Sequence, residues 1–142
     1  MRVVIDTSVF VGMLVPNDVW HSQAIELYQT LVESGDEVIF LDCVIAESIS
    51  VITRRLREKR QIVQADDILN RIMTQFPAEL ITWVLPDVPT YYAEIVALVQ
   101  ASAHRLNFND ALIATVCSKR QIEAIASFDS GFDLIATLKR LC

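Results

Sequence analysis

The stretch VVIDTSVF, residues 3–10, decides the fold that this sequence predicts. Its β-branched start is typical of a buried strand in a parallel sheet. Asp6 follows this strand, and Thr7 and Ser8 can each cap a helix predicted over Val9–Leu14. An acid at this point lies at the carboxyl edge of the sheet, where parallel α/β folds bind ligands, although a helix N-terminus also favours an acid for structural reasons alone.

Strand-like and helix-like segments alternate along the rest of the chain. Apolar runs predict further strands at Glu37–Leu41, Leu80–Leu85 and Ala124–Ser127. Helical spacing of apolar residues predicts helices over 21–34, 62–76, 89–104 (with Tyr92 facing the core) and 108–120. A further helix is predicted directly after Asp42, its N-cap, with an apolar face formed by Val44, Ile45, Ile49, Ile52 and Leu56. Residues 134–142 fit either a helix or a strand. The alternation predicts a single α/β domain over residues 1–142, with a parallel sheet flanked by helices.

Composition limits the class of protein. The 142 residues are 53% hydrophobic and 21% charged, which indicates a packed domain rather than a disordered chain. No apolar run approaches the roughly 18 residues of a membrane-spanning helix. The N-terminal segment does not resemble a signal peptide, so we expect a cytoplasmic protein. The three cysteines lack metal-binding spacing and are expected to be apolar fillers in a reducing compartment, and a zinc site is not expected.

The charge pattern bears on possible nucleic-acid partners. The formal net charge is −6, which by itself argues against a phosphate-binding protein. A basic run does occur within residues 54–60. It fits a solvated helix end, where the helix dipole favours cations, better than it fits a surface for a phosphate backbone.

Four acids are predicted to meet at one edge of the sheet: Asp6, Glu47, Asp110 and Asp129. Each also has a structural alternative. Glu47 falls on the polar side of its helix, Asp110 suits a capping box with Asn107, and Asp129 lies in a turn-forming Asp-Ser-Gly sequence. Their joint placement without an intervening lysine favours a hard divalent cation, Mg2+ or Mn2+, as the neutralising partner.

Taken together, these segments resemble the PIN-domain family, especially its small VapC-type toxins. VVIDTSVFVGML is similar to the family's opening strand, LNFNDALIATVC to its Asp-containing helix and IASFDSGFD to the motif at its fourth strand, while Glu47 falls where the family has its second acid. The resemblance implies the sheet order 3-2-1-4-5. It also implies Mg2+- or Mn2+-dependent endonucleolytic cleavage of single-stranded RNA.

The resemblance further assigns roles to residues. Asp6, Glu47, Asp110 and Asp129 would be catalytic and would bind one or two metal ions. In support, Thr7 or Ser8 would place a hydroxyl near the phosphate or a metal-bound water, Asn109 would be a polar neighbour, and Asp133 would be a further acid.

The resemblance also implies partners: a small antitoxin that plugs the acidic pocket with an Arg or Lys, and a second copy of the chain in a homodimer. Other functions stay open at this point. They are a PIN nuclease of RNA processing that is not a toxin, a small-molecule phosphohydrolase, and a catalytically inert binding module. A haloacid-dehalogenase-like phosphatase would need an Asp at the position of Ser8.

Overall fold

The computed structural model describes every residue from Met1 to Cys142, and a five-stranded parallel sheet lies at its centre. The strands are β1 (Arg2–Ile5), β2 (Glu37–Leu41), β3 (Ile81–Thr82), β4 (Ala124–Ala126) and β5 (Lys139–Leu141). Their order is β3-β2-β1-β4-β5, and every pairing is parallel. The order expected from the family resemblance is therefore confirmed.

Six α-helices flank the sheet. They are α1 (Thr7–Leu14), α2 (His21–Glu33), α3 (Asp42–Glu58), α4 (Val63–Gln75), α5 (Val88–Ala101) and α6 (Phe108–Lys119). Three consecutive residues of β1, from Val3 to Ile5, have no exposed surface. Because successive side chains of a strand point to opposite faces, both faces of β1 are covered. The predicted α/β architecture is confirmed.

Helix α1 is held tightly against its neighbours. The ring of Phe10 packs edge-on against those of Phe40 and Phe76, with centroid distances of 5.9 and 4.8 Å. On the same helix, a Cβ atom at Gly12 would lie only 2.9 Å from Cβ of Ala24 in α2. The absence of a side chain at Gly12 thus permits the close approach of the two helices. This packing fixes the helix that begins directly after Asp6.

The third strand is shorter than the sequence predicts. Only Ile81–Thr82 pairs with β2, and short 3-10 turns cover Ala78–Leu80 and Leu85–Asp87. Asp42 supports the turn that follows the strand, since its carboxylate accepts hydrogen bonds from the backbone N–H groups of Val84 and Leu85 at 2.9 and 3.0 Å. Asp42 is the first residue of α3 and not its N-cap, so that part of the prediction was wrong.

Two other expectations need correction or completion. Tyr92 does not face the core: it is 58% exposed and lies near the ring of Phe108, with centroids 6.3 Å apart. The C-terminal tail, which fitted either a helix or a strand, forms β5. Its strand character comes from pairing with β4, where Ala124 is the neighbour of Lys139.

The three cysteines differ in their exposure. Cys43 and Cys117 are buried, and Cys142 is exposed. Burial raises the pKa of both the Cys43 and the Cys117 thiol to about 12, so these two thiols stay protonated and behave as apolar side chains.

None of the helices combines the length and the apolar character that a membrane crossing requires.

Candidate functional site

An acidic cavity of about 240 Å³ opens at the carboxyl edge of the sheet. Its twelve lining residues are Asp6, Thr7, Ser8, Val11, Asp18, Trp20, Glu47, Val51, Arg55, Asn107, Asp110 and Asp129. All four acids that the sequence singles out are among them, as are both hydroxyl residues after β1. The topology explains this convergence, because β1 and β4 are neighbouring parallel strands and their carboxyl ends meet.

Asp6 is the most deeply placed of these acids, with only 4% of its surface exposed. Its Oδ2 accepts hydrogen bonds from the hydroxyls of Ser8 at 2.8 Å and Ser127 at 2.7 Å, and a longer one of 3.3 Å from the Ser8 N–H. Burial raises the pKa of Asp6, and the bonds from Ser127 and Ser8 oppose that rise. Asp6 therefore caps α1 and is held rigidly in the cavity wall.

Glu47 is anchored from two other helices. Its Oε2 accepts a hydrogen bond from the Thr7 hydroxyl at 2.9 Å and one from the Asn109 side-chain amide at 2.5 Å. Asn109 does not itself line the cavity, so its contact with the site runs through Glu47. A glutamate with two side-chain partners is not the freely solvated residue that helical periodicity alone suggests.

Asp110 combines the structural role and the site position that the sequence left as alternatives. Its Oδ2 accepts the Asn107 N–H at 2.9 Å, and its own N–H donates to Asn107 Oδ1 at 2.9 Å, which completes a capping box. The pKa of Asp110 is raised to about 6, chiefly because its carboxyl group is buried. The bond from Asn107 opposes this rise, and the negative charges of Asp6, Asp129 and Glu47 add to it. The cavity acids thus repel one another electrostatically.

Asp129 caps the 3-10 turn Ser130–Leu134. Its Oδ1 accepts the Gly131 N–H at 2.7 Å, and its N–H donates to the hydroxyl of Ser127 at 3.0 Å. A Cβ atom at Gly131 would come within 3.1 Å of that same Oδ1, so the small residue leaves room for the carboxylate. Asp133, farther along the turn, lies outside the cavity, because Arg140 of β5 binds it through two hydrogen bonds of 2.7 and 3.0 Å.

The two hydroxyl residues expected near a phosphate already have hydrogen-bond partners. Ser8 donates to Asp6 and accepts the Phe128 N–H at 3.0 Å, and Thr7 donates to Glu47. A hydroxyl has one proton to donate. In this arrangement both side chains position acids and neither offers a free donor.

The four carboxylates share one feature. In each, a single oxygen carries the hydrogen bonds to the protein and the second oxygen has no protein partner: Oδ1 of Asp6, Oε1 of Glu47, Oδ1 of Asp110 and Oδ2 of Asp129. Oriented carboxylate oxygens are the ligands of hard divalent cations. No lysine lines the cavity, and its single cation, Arg55, is bound to Asp18 at 2.8 Å.

These acids do not form a closed metal-binding cluster. No group of three or more His, Cys, Asp or Glu side chains is close enough to enclose one metal ion. Mg2+ does not require such a group, since it keeps several waters and is usually bound by one or two carboxylates. The residues present therefore fit a hydrated divalent cation.

Four residues of this region escaped prediction from the sequence. Ser127 has no exposed surface, and its hydroxyl joins Asp6 to Asp129. Asp18 and Trp20 follow the break at Pro16, whose turn-forming sequence gave no sign of proximity to the acids. Arg55 belongs to the basic run that was interpreted as a solvated helix end, yet its side chain reaches the cavity.

Comparisons with known proteins agree with this fold. Two solved structures share the fold over nearly the whole of both chains. Mycobacterium tuberculosis VapC20, described as a sarcin-ricin loop cleaving toxin, has a TM-score of 0.71 and 18% identity, and covers 96% of each chain. Rickettsia felis VapBC2, bound to a DNA fragment from its promoter, has a TM-score of 0.67 and 15% identity, and covers 99% of this chain and 98% of the other.

No curated protein matches the chain at a significant level. The family model of the PIN domain, in contrast, matches residues 3–138, a range that contains Asp6, Glu47, Asp110 and Asp129 and ends directly before β5. The chain therefore belongs to the PIN domain family.

Proposed function

We propose that this protein is a metal-dependent endoribonuclease that cleaves single-stranded RNA and serves as the toxin of a toxin–antitoxin pair. The observation that carries the proposal is the set of four carboxylates, each hydrogen-bonded to the protein through one oxygen and uncommitted at the other, in a cavity that contains no lysine. The family membership supports a nuclease, and the two VapC-type structures support the toxin assignment by fold.

Asp6, Glu47, Asp110 and Asp129 would hold one or two Mg2+ or Mn2+ ions. A bound divalent cation supplies Lewis-acid stabilisation of the negative charge that develops on phosphodiester oxygens. The protein's own part is to keep these oxygens oriented: Ser8 and Ser127 hold Asp6, and Gly131 holds Asp129. Fixed carboxylates lose little freedom when they bind a cation, which is the advantage of preorganisation.

Other groups around the cavity fix the orientation of Glu47 and affect the charge of Asp110. Thr7 and Asn109 together fix Glu47, so helices α1, α3 and α6 share one hydrogen-bonded centre. Asp110, whose pKa is raised to about 6, carries a charge at neutral pH that its neighbours disfavour. A cation would relieve this repulsion, so the clustering of acids favours metal binding.

Single-stranded RNA is the proposed substrate because the cavity is narrow. A volume of about 240 Å³ can take a short piece of an unpaired backbone but not a duplex, which holds its phosphates on a rigid cylinder. The overall charge of −6 argues against a long basic surface that follows the RNA backbone. The protein would therefore contact few phosphates outside the cavity.

An apolar groove of about 400 Å³ supports the antitoxin as a partner. It runs between the loop before α2 and the facing ends of α3 and α4, and it shares Asp18, Trp20 and Arg55 with the acidic cavity. An antitoxin segment lying in this groove would have its end beside the acids, where a basic side chain would be attracted. We also propose a homodimer, to be tested by light scattering on the purified protein.

Cleavage of a mixed-sequence single-stranded RNA tests the proposal. We expect activity with Mg2+ or Mn2+, none with EDTA, and none in Asp6→Asn, which keeps the shape of the side chain but removes its charge. Asp133→Asn is the matched control, because Asp133 lies outside the cavity. Full activity of Asp6→Asn would overturn the scheme.

The toxin assignment needs a separate experiment. Induced expression in a bacterial host should arrest growth with the unaltered chain and with Asp133→Asn, but not with Asp6→Asn. RNA cleavage in vitro without growth arrest would favour a PIN nuclease of RNA processing. Hydrolysis of small phosphate esters without RNA cleavage would favour a phosphohydrolase. Inactivity on both substrates, with no thermal stabilisation by Mn2+, would favour an inert binding module.

A further inference from the structure

Trp20 is an exposed aromatic side chain in the wall of the acidic cavity. It lines both the cavity and the neighbouring apolar groove, and 43% of its surface is exposed. It occupies the N-cap position of α2, where Ser, Thr, Asp or Asn is favoured, and its side chain makes no capping hydrogen bond. Capping of α2 therefore does not explain an indole at this position.

The indole is held in a defined orientation. It stacks on the ring of Phe128 with a centroid distance of 4.8 Å and an interplanar angle of 17°. Its backbone N–H donates to Asp18 Oδ1 at 2.9 Å. Phe128 lies between Ser127 and Asp129, and its own N–H is bound to Ser8. The aromatic pair is thus attached to the same framework that orients the acids.

Arg55 lies beside this pair as the single cation of the cavity wall. One of its donors, Nη1, is bound to Asp18 Oδ2 at 2.8 Å, and 52% of its side chain is exposed. A guanidinium has five N–H donors, so the bond to Asp18 leaves others for an anion. Asp18 therefore positions both Trp20 and Arg55. Its Oδ1 accepts the backbone N–H of Trp20, and its Oδ2 accepts a hydrogen bond from the guanidinium of Arg55.

We propose that Trp20 and Arg55 form a nucleotide subsite next to the acids. The open part of the indole stacks on an unpaired base of the RNA, and the guanidinium of Arg55 contacts a phosphate of the same or the adjacent nucleotide. This inference rests on the proposed function, because it names the groups that bind the single strand whose backbone the acids would cleave.

The physical properties of the two groups match this role. Stacking of a base on an aromatic side chain tolerates every base, since each has a π-face. Loss of such a platform by alanine substitution weakens binding roughly 5- to 150-fold. Loss of one phosphate contact lowers the salt dependence of binding to single strands by about 0.7 in the logarithmic slope. Together they would supply binding that an acidic chain lacks elsewhere.

The chain contains only two tryptophans, which makes a selective test possible. The second, Trp83, is 55% exposed, lies beyond β3 and does not line the cavity. Trp83→Phe leaves Trp20 as the sole indole reporter, and Trp20→Phe leaves Trp83 as the matched control. Each variant is titrated in EDTA, which prevents cleavage, with a short unstructured RNA and with the corresponding RNA duplex. Binding is measured independently by anisotropy of labelled RNA.

We expect the single strand to quench the fluorescence of Trp20 and to leave that of Trp83 unchanged. Trp20→Ala should bind roughly 5- to 150-fold more weakly, provided that its melting curve shows a folded protein. Arg55→Gln should lower the salt slope, whereas Arg57→Gln, on the same helix but outside the cavity, should not.

Three results would overturn the inference: binding of RNA without a change in Trp20 fluorescence, equal quenching by the duplex, or binding within twofold of the original in folded Trp20→Ala. Metal-dependent cleavage accompanied by any of these leaves the proposed function standing. Quenching of Trp20 by single strands in a protein that never cleaves them supports the subsite and refutes the nuclease. Neither binding nor cleavage refutes both.

Discussion

Ser127 and Asp6 are joined by a hydrogen bond of 2.7 Å between a hydroxyl with no exposed surface and a carboxylate that is itself buried. The same hydroxyl accepts the N–H of Asp129 at 3.0 Å. One oxygen atom thus fixes an acid after β1 relative to an acid after β4. The spacing between two proposed metal ligands depends on a residue that binds no metal.

Ser127→Ala should therefore impair activity more than its conservative nature suggests. It removes a hydrogen bond that lowers the pKa of Asp6 and leaves the Asp129 N–H without a partner. We expect a loss of roughly 10- to 100-fold in cleavage rate or metal affinity, as is typical of groups that orient metal ligands. Steady-state kinetics across Mn2+ concentrations would measure it. Ser50→Ala, on an exposed turn of α3, is the control, and unaltered kinetics in Ser127→Ala would contradict the role.

The raised pKa of Asp110 predicts how stability depends on pH in metal-free buffer. Its pKa of about 6 lies above the ordinary value of 3.8. At a pH below the pKa of Asp110 in the unfolded chain, its contribution to the free energy of unfolding is fully present. This contribution is lost as the pH rises through about 6, where Asp110 becomes charged in the folded protein. At pH 8 the charge is unfavourable, so Asp110→Asn, whose amide oxygen still accepts the Asn107 N–H, should be more stable by about 1–3 kcal/mol once solvent screening is allowed for.

Melting curves in EDTA at several pH values would test this. The advantage of Asp110→Asn should shrink as pH falls toward 4. Asp133→Asn should behave in the opposite sense, because Arg140 lowers the pKa of Asp133 and the stabilising charge is present at neutral pH. An Asp110→Asn protein that is less stable than the original at pH 8 would show that the acids do not repel each other in solution.

Divalent cations should stabilise the folded protein if the four acids bind them. A ligand that binds only the folded state adds about 2.7 kcal/mol at a concentration 100 times its dissociation constant. We expect Mn2+ to raise the melting temperature of the original chain, to raise that of Asp6→Asn less, and to raise that of Asp133→Asn fully. Ca2+ and Na+ at matched ionic strength separate coordination from screening. Equal shifts in all three proteins would place the metal elsewhere.

Asp42 is another acid near the same sheet edge, and it should behave differently from the four proposed metal ligands. It lies outside the cavity, and its carboxylate accepts backbone N–H groups of Cys43, Val84 and Leu85. Asp42→Ala should cost about 2–4 kcal/mol of stability, since buried donors lose their acceptor. The folded fraction should retain its specific activity. Denaturant unfolding and active-site-normalised rates would separate the two effects, and a lower rate per folded molecule would place Asp42 in the chemistry.

Asp42 and Glu47 also show where sequence reasoning succeeds and where it ends. Short β-branched runs such as that of β1 predict strands because burial on both faces demands them, and the sheet order followed from the family resemblance. Both acids, however, lie near the start of α3. Glu47 lines the cavity and is bound by Thr7 and Asn109. Asp42 lies outside the cavity and is bound by the N–H groups of Val84 and Leu85. The local periodicity of a helix carries no information about such distant partners.

The same reason explains the other differences. The stack of Trp20 on Phe128 joins two segments that are far apart in the sequence, so neither segment by itself predicts the contact. β5 has the sequence Lys-Arg-Leu, which is poor in β-branched residues, and it becomes a strand because the edge of β4 offers unpaired backbone groups. Tyr92 follows the apolar spacing of α5, which predicted a position facing the core. The protein leaves more of Tyr92 exposed than covered, and the spacing alone carries no information about this.

The capping box at Asn107 and Asp110 bears on how this site would decay during evolution. A lineage that no longer needed the chemistry would still keep an acceptor at Asp110, because that carboxylate accepts the N–H of Asn107, the N-cap of α6. Glu47 begins no helix, so substitution there would be freer once cleavage ceased to matter. Among relatives of this chain, the retention of Glu47 therefore says more about surviving activity than the retention of Asp110.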